Sequence, residues 1–368
     1  MPVVFAVTVT LLLWCTGVYL LWKIPLCSGK RNDADISGCT IIIPARNEES
    51  SLPRLLDSLN NQRGARDEIL VVNDRSTDET AAVARRHGAR VFDNSERPEG
   101  WTGKTWACWN GAQEARNDIL LFIDADTWLA PAALEKIVAT YRRHGGLVTL
   151  QPYHCMEKAW ERLSALFNLM VMIGVDAFAF GRGRRGASGS FGPCIICSKH
   201  DYFAAGGHER VKGKVLENLA LGPVFKEAGM KITCFGGEQT IFFRMYPEGT
   251  ASLVEGWTKG FATGAAETPR HSMACTVAWI SGAFTAAILN GAAIGMPALR
   301  TPAVAALYPL YAGQLYWMLR RTGNFGIVTC LLFPVHLLFF AFIYIKSFIA
   351  IFVTKKVRWK GRTISVNT

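Results

Sequence analysis

The sequence predicts an α/β domain on a mostly parallel sheet, joined to membrane-spanning helices. Three observations carry this expectation. Between Cys39 and Gly146, short apolar runs alternate with helical patterns. Each run is continuously apolar, as in a parallel strand covered on both faces. Finally, 50% of the 368 residues are hydrophobic and only 19% charged, and the apolar excess gathers near the two ends.

In chain order, Val3 to Trp22 carries no charge and matches the roughly 20 residues that cross a bilayer core. It lacks the charged start and small-residue cleavage site of a signal peptide, so it reads as an uncleaved anchor, residues 1–24. Lys23, Lys30 and Arg31 follow it, which puts the next domain, 37–270, in the cytoplasm. There "CTIIIPARNEE" is a strand stopped by Pro44, and Leu52, Leu55, Leu56 and Leu59 mark a helix by their spacing. "EILVVNDRSTDETAAVARRHG" repeats strand, polar loop and helix, and "ARVF" is a third strand. "TWACWNGAQEA" reads as a helix, "DILLFIDADTWLAP" as the next strand, and the following helix has Pro131 in its first turn.

Met273–Met296, Thr301–Met318 and Phe325–Ile345 lack Lys, Arg, Asp and Glu, so 271–353 reads as transmembrane or interfacial helices. Pro334 and Lys346 are candidate breaks in the last run, and the number of crossings stays open. Arg320, Arg321 and the basic tail 354–368 belong inside, giving a multi-pass protein of the cell membrane. Much of the net charge of +11 flanks the apolar runs. There it meets anionic lipid headgroups, which argues against nucleic acid as a partner. The ten cysteines form no disulfide framework, and "CIIC" reads as a buried strand rather than half a zinc site.

Ligands of such sheets sit beyond the carboxyl ends of the strands. Arg46, Asn47 and Glu48 follow the first strand, Asn73 and Asp74 the second, and Asp124 and Asp126 close the fourth. Carboxylates two positions apart share a face of a regular strand. Both can then reach one ion, and hard oxygen ligands suit Mg²⁺ or Mn²⁺ beside a diphosphate. The competing reading is that the two acids only prepare the next helix. Lys104 follows Gly103 at a helix start, where a cation and helix N-terminus suit an anion; the alternative is a surface lysine. Asp78 reads as a cap.

Together "TIIIPARNEE", "VVNDRSTDET", "GKTWACWNG", "LLFIDADTWL" and "EGWTKGFATGA" resemble the family 2 glycosyltransferases of the membrane-bound type. The resemblance covers about Cys39 to Gly264 and implies a Rossmann-like GT-A fold, with inverting transfer from a nucleotide diphosphate sugar. It implies that Pro44, Ala45, Glu48 and Asp74 contact base and ribose. Asp124 and Asp126 are then the DxD pair, Asp126 the more direct metal ligand, with Lys104 near the phosphates. Glu217 falls at the catalytic base, where many members carry Glu-Asp and this chain has Asn218. Trp257, Lys259 and His208 are assigned to the acceptor side. "EGWTKG" stands where processive members carry QxxRW, and this departure implies transfer of a single sugar.

"QPYH", "FNLM", "AGGH", "LALG" and "FRMYPEG" extend the resemblance to members that pass glucose from UDP-glucose to a C30 carotenoid acid. A hopanoid, a sphingoid or glycerolipid, or a polyprenyl phosphate stays open as acceptor. A membrane scaffold that only binds nucleotide sugars is the reading of another class. Trp160, Leu163, Leu166, Phe167 and Met170 form one stripe, either core or lipid-facing, and "GRGRRG" is a loop near headgroups or phosphates, or merely solvated.

Overall fold

The computed structural model describes residues 1–29, 38–182, 186–214, 216–350, 354, 356–359 and 362–365. For 259–267, 356–359 and 362–365 it describes the backbone alone. Helix α1 (Pro2–Leu20) precedes β1 (Cys39–Ala45), α2 (Leu52–Asn60), β2 (Glu68–Asn73), α3 (Thr80–Arg86), β3 (Arg90–Asp93) and α4 (Gly103–Glu114). Then come β4 (Ile119–Ile123), β5 (Thr127–Leu129), α5 (Ala133–His144), β6 (Leu147–Gln151), β7 (Tyr153–His154), α6 (Ala165–Gly174), β8 (Cys194–Ser198) and α7 (Lys199–Ala204). The chain continues through α8 (Glu217–Glu227), β9 (Ile232–Gly236), β10 (Ile241–Phe243), α9 (Thr250–Glu267), α10 (Arg270–Ala292) and α11 (Pro302–Leu319). It ends with α12 (Gly326–Leu331), α13 (Phe333–Phe348), β11 (Lys356–Trp359) and β12 (Arg362–Ser365).

Two compact units result, one of residues 25–155 and 185–244, the other of 1–24, 156–184 and 245–368. The span expected as one domain, 37–270, is thus divided, and 156–184 and 245–270 group with the apolar helices.

The first unit holds a seven-stranded sheet in the order β3-β2-β1-β4-β8-β6-β9. Its β1–β2, β1–β4, β2–β3 and β6–β9 pairs are parallel, whereas β8 runs antiparallel to β4 and β6. The mostly parallel sheet is therefore a mixed one. β8 is the "CIIC" strand, and Cys194 and Cys197 are fully buried.

On α2, Leu52, Leu55, Leu56 and Leu59 are all buried, as their spacing predicts. Thr102 caps α4 in a reciprocal box with Thr105. A Cβ at Gly111 would press into Ile42 and, at 3.0 Å, Val72; only glycine lets α4 lie this close to β1 and β2. The start of α5 differs from expectation. Pro131 stands in the turn before it, and Ala132, with φ 59°, precedes the first helical residue.

In the second unit, polar side chains join α1, α10 and α11. Trp279 Nε1 donates to Gln314 Oε1 at 2.8 Å, Gln314 Nε2 to Trp14 O at 2.9 Å, and Tyr311 OH to Thr10 O at 3.2 Å. Gly17 and Gly282 admit the large rings, since a Cβ at either would overlap Trp279 or Tyr311. Small residues and cross-helix hydrogen bonds are how helices associate in lipid. Pro2–Leu20 and Arg270–Ala292 are long and apolar enough to span a membrane, by length and composition. The Phe325–Ile345 run breaks at Leu332, and Pro334 is the second residue of α13.

The stripe from Trp160 to Met170 is not one helix, because 159–164 is a 3₁₀ segment before α6. Leu166 and Phe167 are buried, which is the core reading. Arg182 pairs with buried Asp176 at 2.6 Å, while Arg184 and Arg185, like Lys30 and Arg31, lie outside the described residues.

Candidate active site

The loops after β1 and β2 are tied together at the carboxyl edge of the sheet. Asn47, left-handed at φ 54°, donates its N–H to Ser76 Oγ at 3.1 Å and accepts the Thr77 N–H at 2.9 Å. The Glu48 N–H donates to Thr80 Oγ1 at 2.8 Å, and Asp78 accepts the Thr80 N–H at 3.0 Å. Asp78 is thus a local cap. Buried Asp74 donates its N–H to Ala45 O at 2.8 Å, and Arg46 Nη1 stands 3.7 Å from its Oδ2. Pro44 and Ala45 end β1 beside it.

Asp124 and Asp126 do not lie on a strand face. β4 stops at Ile123, and a tight turn follows in which the N–H and Oγ1 of Thr127 donate to Asp124 O at 3.2 and 2.8 Å. The two acids are neighbours through this turn rather than through strand periodicity. Neither prepares α5, which has no side-chain cap. That removes the capping alternative.

Lys104, in the first turn of α4, reaches two carboxylates. Its Nζ lies 2.7 and 2.9 Å from the two oxygens of Asp124, and 3.5 Å from Glu217 Oε1. Glu217 opens α8 and is 9% exposed. Burial by itself would lower the Lys104 pKa, but Asp124 and then Glu217 outweigh it and hold the ammonium above the usual lysine range. Its side chain stays 35% accessible, so the group is flanked by protein yet still reached by solvent. Asp126 is also accessible. The enclosing walls, then Asp124 and Glu48, push its pKa up to about 7. Two adjacent acids thus differ: Asp124 is neutralised by Lys104, and Asp126 has a surplus of negative charge around it.

With this geometry in view, the relatives can be compared. Residues 40–192 match the family described as glycosyl transferase family 2. The chain is 38% identical over 342 residues to 4,4'-diaponeurosporenoate glycosyltransferase of Staphylococcus haemolyticus (strain JCSC1435), covering 92% of this chain and 91% of that one. It is 37% identical over 332 residues to the protein of the same name in Staphylococcus aureus (strain USA300), covering 89% and 88%. The chain belongs to glycosyl transferase family 2. It is an enzyme, a glycosyltransferase. Its fold matches that of a mannosyltransferase from Pyrobaculum calidifontis solved with GDP-Man and Mn²⁺, with a TM-score of 0.56, 18% identity, and 96% and 99% of the two chains covered.

The glycosyltransferase's sheet brings Pro44, Ala45, Glu48, Asp74, Lys104, Asp124, Asp126 and Glu217 to one unit. His208 belongs to the same unit but is 2% exposed. Its Nδ1 meets Tyr202 OH at 2.8 Å, and that hydroxyl also accepts the His208 N–H at 3.2 Å. The direction of the Nδ1–hydroxyl bond follows the tautomer of the ring. Burial, then Lys104, pushes its pKa down to about 3. A neutral imidazole locked in the core is not exposed to an acceptor. Trp257 lies in the other unit, 8% exposed, stacked on Phe167 at 4.8 Å and donating to Ser164 Oγ at 3.1 Å. The Lys259 side chain lies outside the described residues.

Sequence reasoning missed two residues around Asp74: Asn94 and Asn110. Asn94 directly follows β3 at the same sheet edge as the acidic clusters, and that position was the available signal. Asn110 gave none, because its role depends on how closely α4 approaches the sheet.

Proposed function

We propose that this glycosyltransferase moves one glucose from UDP-glucose, with inversion, to the carboxylate of a C30 carotenoid acid, 4,4'-diaponeurosporenoate. The observation that carries the acceptor is the 38% identity over 92% of the chain to a protein named for it. The chemistry is supported by the Lys104–Asp124–Glu217 constellation at the sheet edge. A carboxyl with an ordinary pKa near 4 is ionised at neutral pH. One of its oxygens bonds to the anomeric carbon as the bond from that carbon to the diphosphate breaks. The negative charge passes to the leaving UDP, and no proton has to be removed. Glu217 is then left to orient the donor sugar, while Lys104 offsets charge on the diphosphate. Asp74, with Pro44, Ala45 and Glu48, is assigned to the nucleoside.

The donor set suits Mg²⁺ or Mn²⁺. Asp126 is an accessible hard-oxygen ligand amid excess negative charge, with Asp124 beside it. Among the described residues no three His, Cys, Asp or Glu cluster as a metal site. Water and donor phosphate oxygens would complete such a shell. The cation, when bound, would neutralise the leaving diphosphate. We further infer a multi-pass cell-membrane protein with a cytoplasmic catalytic unit, from α1, α10 and the placement of Lys23, Arg320 and Arg321.

The test is UDP release by membranes containing the protein, supplied with UDP-glucose, Mg²⁺ or Mn²⁺, and the carotenoid acid. The expected product is heavier by one hexose, and alkali returns the acid from its ester. Turnover with a hopanoid, a sphingoid or glycerolipid, or a polyprenyl phosphate in place of the acid overturns the acceptor. Full turnover by Asp126→Ala overturns the metal assignment.

A further inference from the structure

Asp74 is held by a buried relay of two amides. Asn94 Nδ2 donates to Asp74 Oδ1 at 3.3 Å, and Asn110 Nδ2 donates to Asn94 Oδ1. Asp74, Asn94 and Asn110 are 6%, 7% and 6% exposed, so bulk water does not compete for these bonds. Both ends are anchored. The Asn94 N–H donates to Asn73 O at 3.0 Å, tying the end of β3 to that of β2. Asn110 rides on α4 directly before Gly111, whose missing side chain lets the helix approach.

Chemistry gives the relay one direction. An ionised carboxylate only accepts, so Asn94 must turn its NH₂ toward Asp74. Its oxygen then faces Asn110, which must donate. Neither amide can flip without leaving two like groups face to face in a buried site. Oδ1 is thereby occupied, and Oδ2 points the other way. The backbone of Gly103 lies against Oδ2, where a Cβ would overlap it, and among the described residues its ion-pair partner is Arg46 at 3.7 Å.

We propose that Asn94 and Asn110 are positioning residues for the donor. Through Asp74 they aim Oδ2 at an N–H or O–H donor on the nucleoside of the sugar nucleotide. This rests on the assignment of Asp74 to the nucleoside. The relay fixes the carboxylate's rotation before the donor arrives, so binding does not have to order it. One hydrogen bond to a charged group, made or lost, corresponds to about a tenfold change in affinity.

The experiment is titration calorimetry of UDP, with Mg²⁺, into the detergent-solubilised full chain, as a double-variant cycle. Asn110→Leu keeps the volume and removes the donor. It is expected to raise the Kd for UDP about tenfold in the natural background, but less than twofold in an Asp74→Asn background. General damage to folding would raise Kd equally in both. An equal rise, or none, overturns the relay. If Asp74→Asn leaves UDP affinity intact, the assignment of Asp74 fails and the relay's purpose fails with it. A weakened Asp74→Asn beside an unaffected Asn110→Leu sinks the relay alone. Asn94→Ser cuts the chain one link nearer and gives the same reading where Asn110→Leu does not fold.

Discussion

Replacing Lys104 by methionine keeps the aliphatic stem and removes the charge that two carboxylates share. Its ammonium lies 2.7 Å from Asp124 and 3.5 Å from Glu217. At an effective dielectric constant of about 20, each contact has a gross Coulomb energy of about 5 kcal/mol. Desolvation takes back much of this. Removing one partner of a fully buried pair costs about 3–5 kcal/mol, and of an exposed pair about 0–1 kcal/mol. At 35% accessibility Lys104 falls between these limits, so Lys104→Met is expected to lower stability by about 1–3 kcal/mol. A second effect follows from the same geometry. Asp124 and Glu217 lose their counter-charge, and a divalent cation can take its place. Without nucleotide, the variant should bind Mn²⁺ about tenfold more tightly, and Mn²⁺ should restore part of the lost stability. Thermal unfolding with and without Mn²⁺, and electron spin resonance of free Mn²⁺, measure both. A variant as stable as its parent and with the same Mn²⁺ affinity would show that Lys104 is not the internal counter-ion of this site.

Three further outcomes are expected. Folded His208 takes up its proton near pH 3, whereas the unfolded chain does so near 6.5. Its contribution is complete above pH 6.5 and falls by about 1.4 kcal/mol per unit as pH drops toward 3. His208→Asn should therefore lose about 2 kcal/mol less than its parent between pH 6.5 and 5 in denaturant titrations; equal acid losses contradict the neutral, buried imidazole. Glu217→Gln should reduce turnover far more with a hydroxyl acceptor, which needs a base, than with a carboxylate acceptor, and equal losses would sink that distinction. Gly17→Val drives a side chain into Trp279 and should cost about 1–3 kcal/mol in thermal unfolding of the detergent-solubilised protein. An unchanged unfolding temperature would mean that α1 does not pack there.

Much of this enzyme was legible in one dimension, because hydrophobic periodicity is local. The four leucines of α2, the apolar strands and the polar residues at their ends follow from side-chain spacing, and the family follows from the order of short motifs. Tertiary structure decided what depends on residues distant in the chain. β8 runs against its neighbours, since strand direction is set by the connection and not by composition. Asp124 and Asp126 meet through a turn, although alternation predicted a shared strand face. Lys104 and Glu217 are 113 positions apart in the chain, and nothing local could pair them. His208 looked available in "AGGH" and is sealed beneath Tyr202, because burial depends on everything packed around a residue. Asn110 acquires its place beside Asn94 and Asp74 only because Gly111 lets α4 settle onto the sheet.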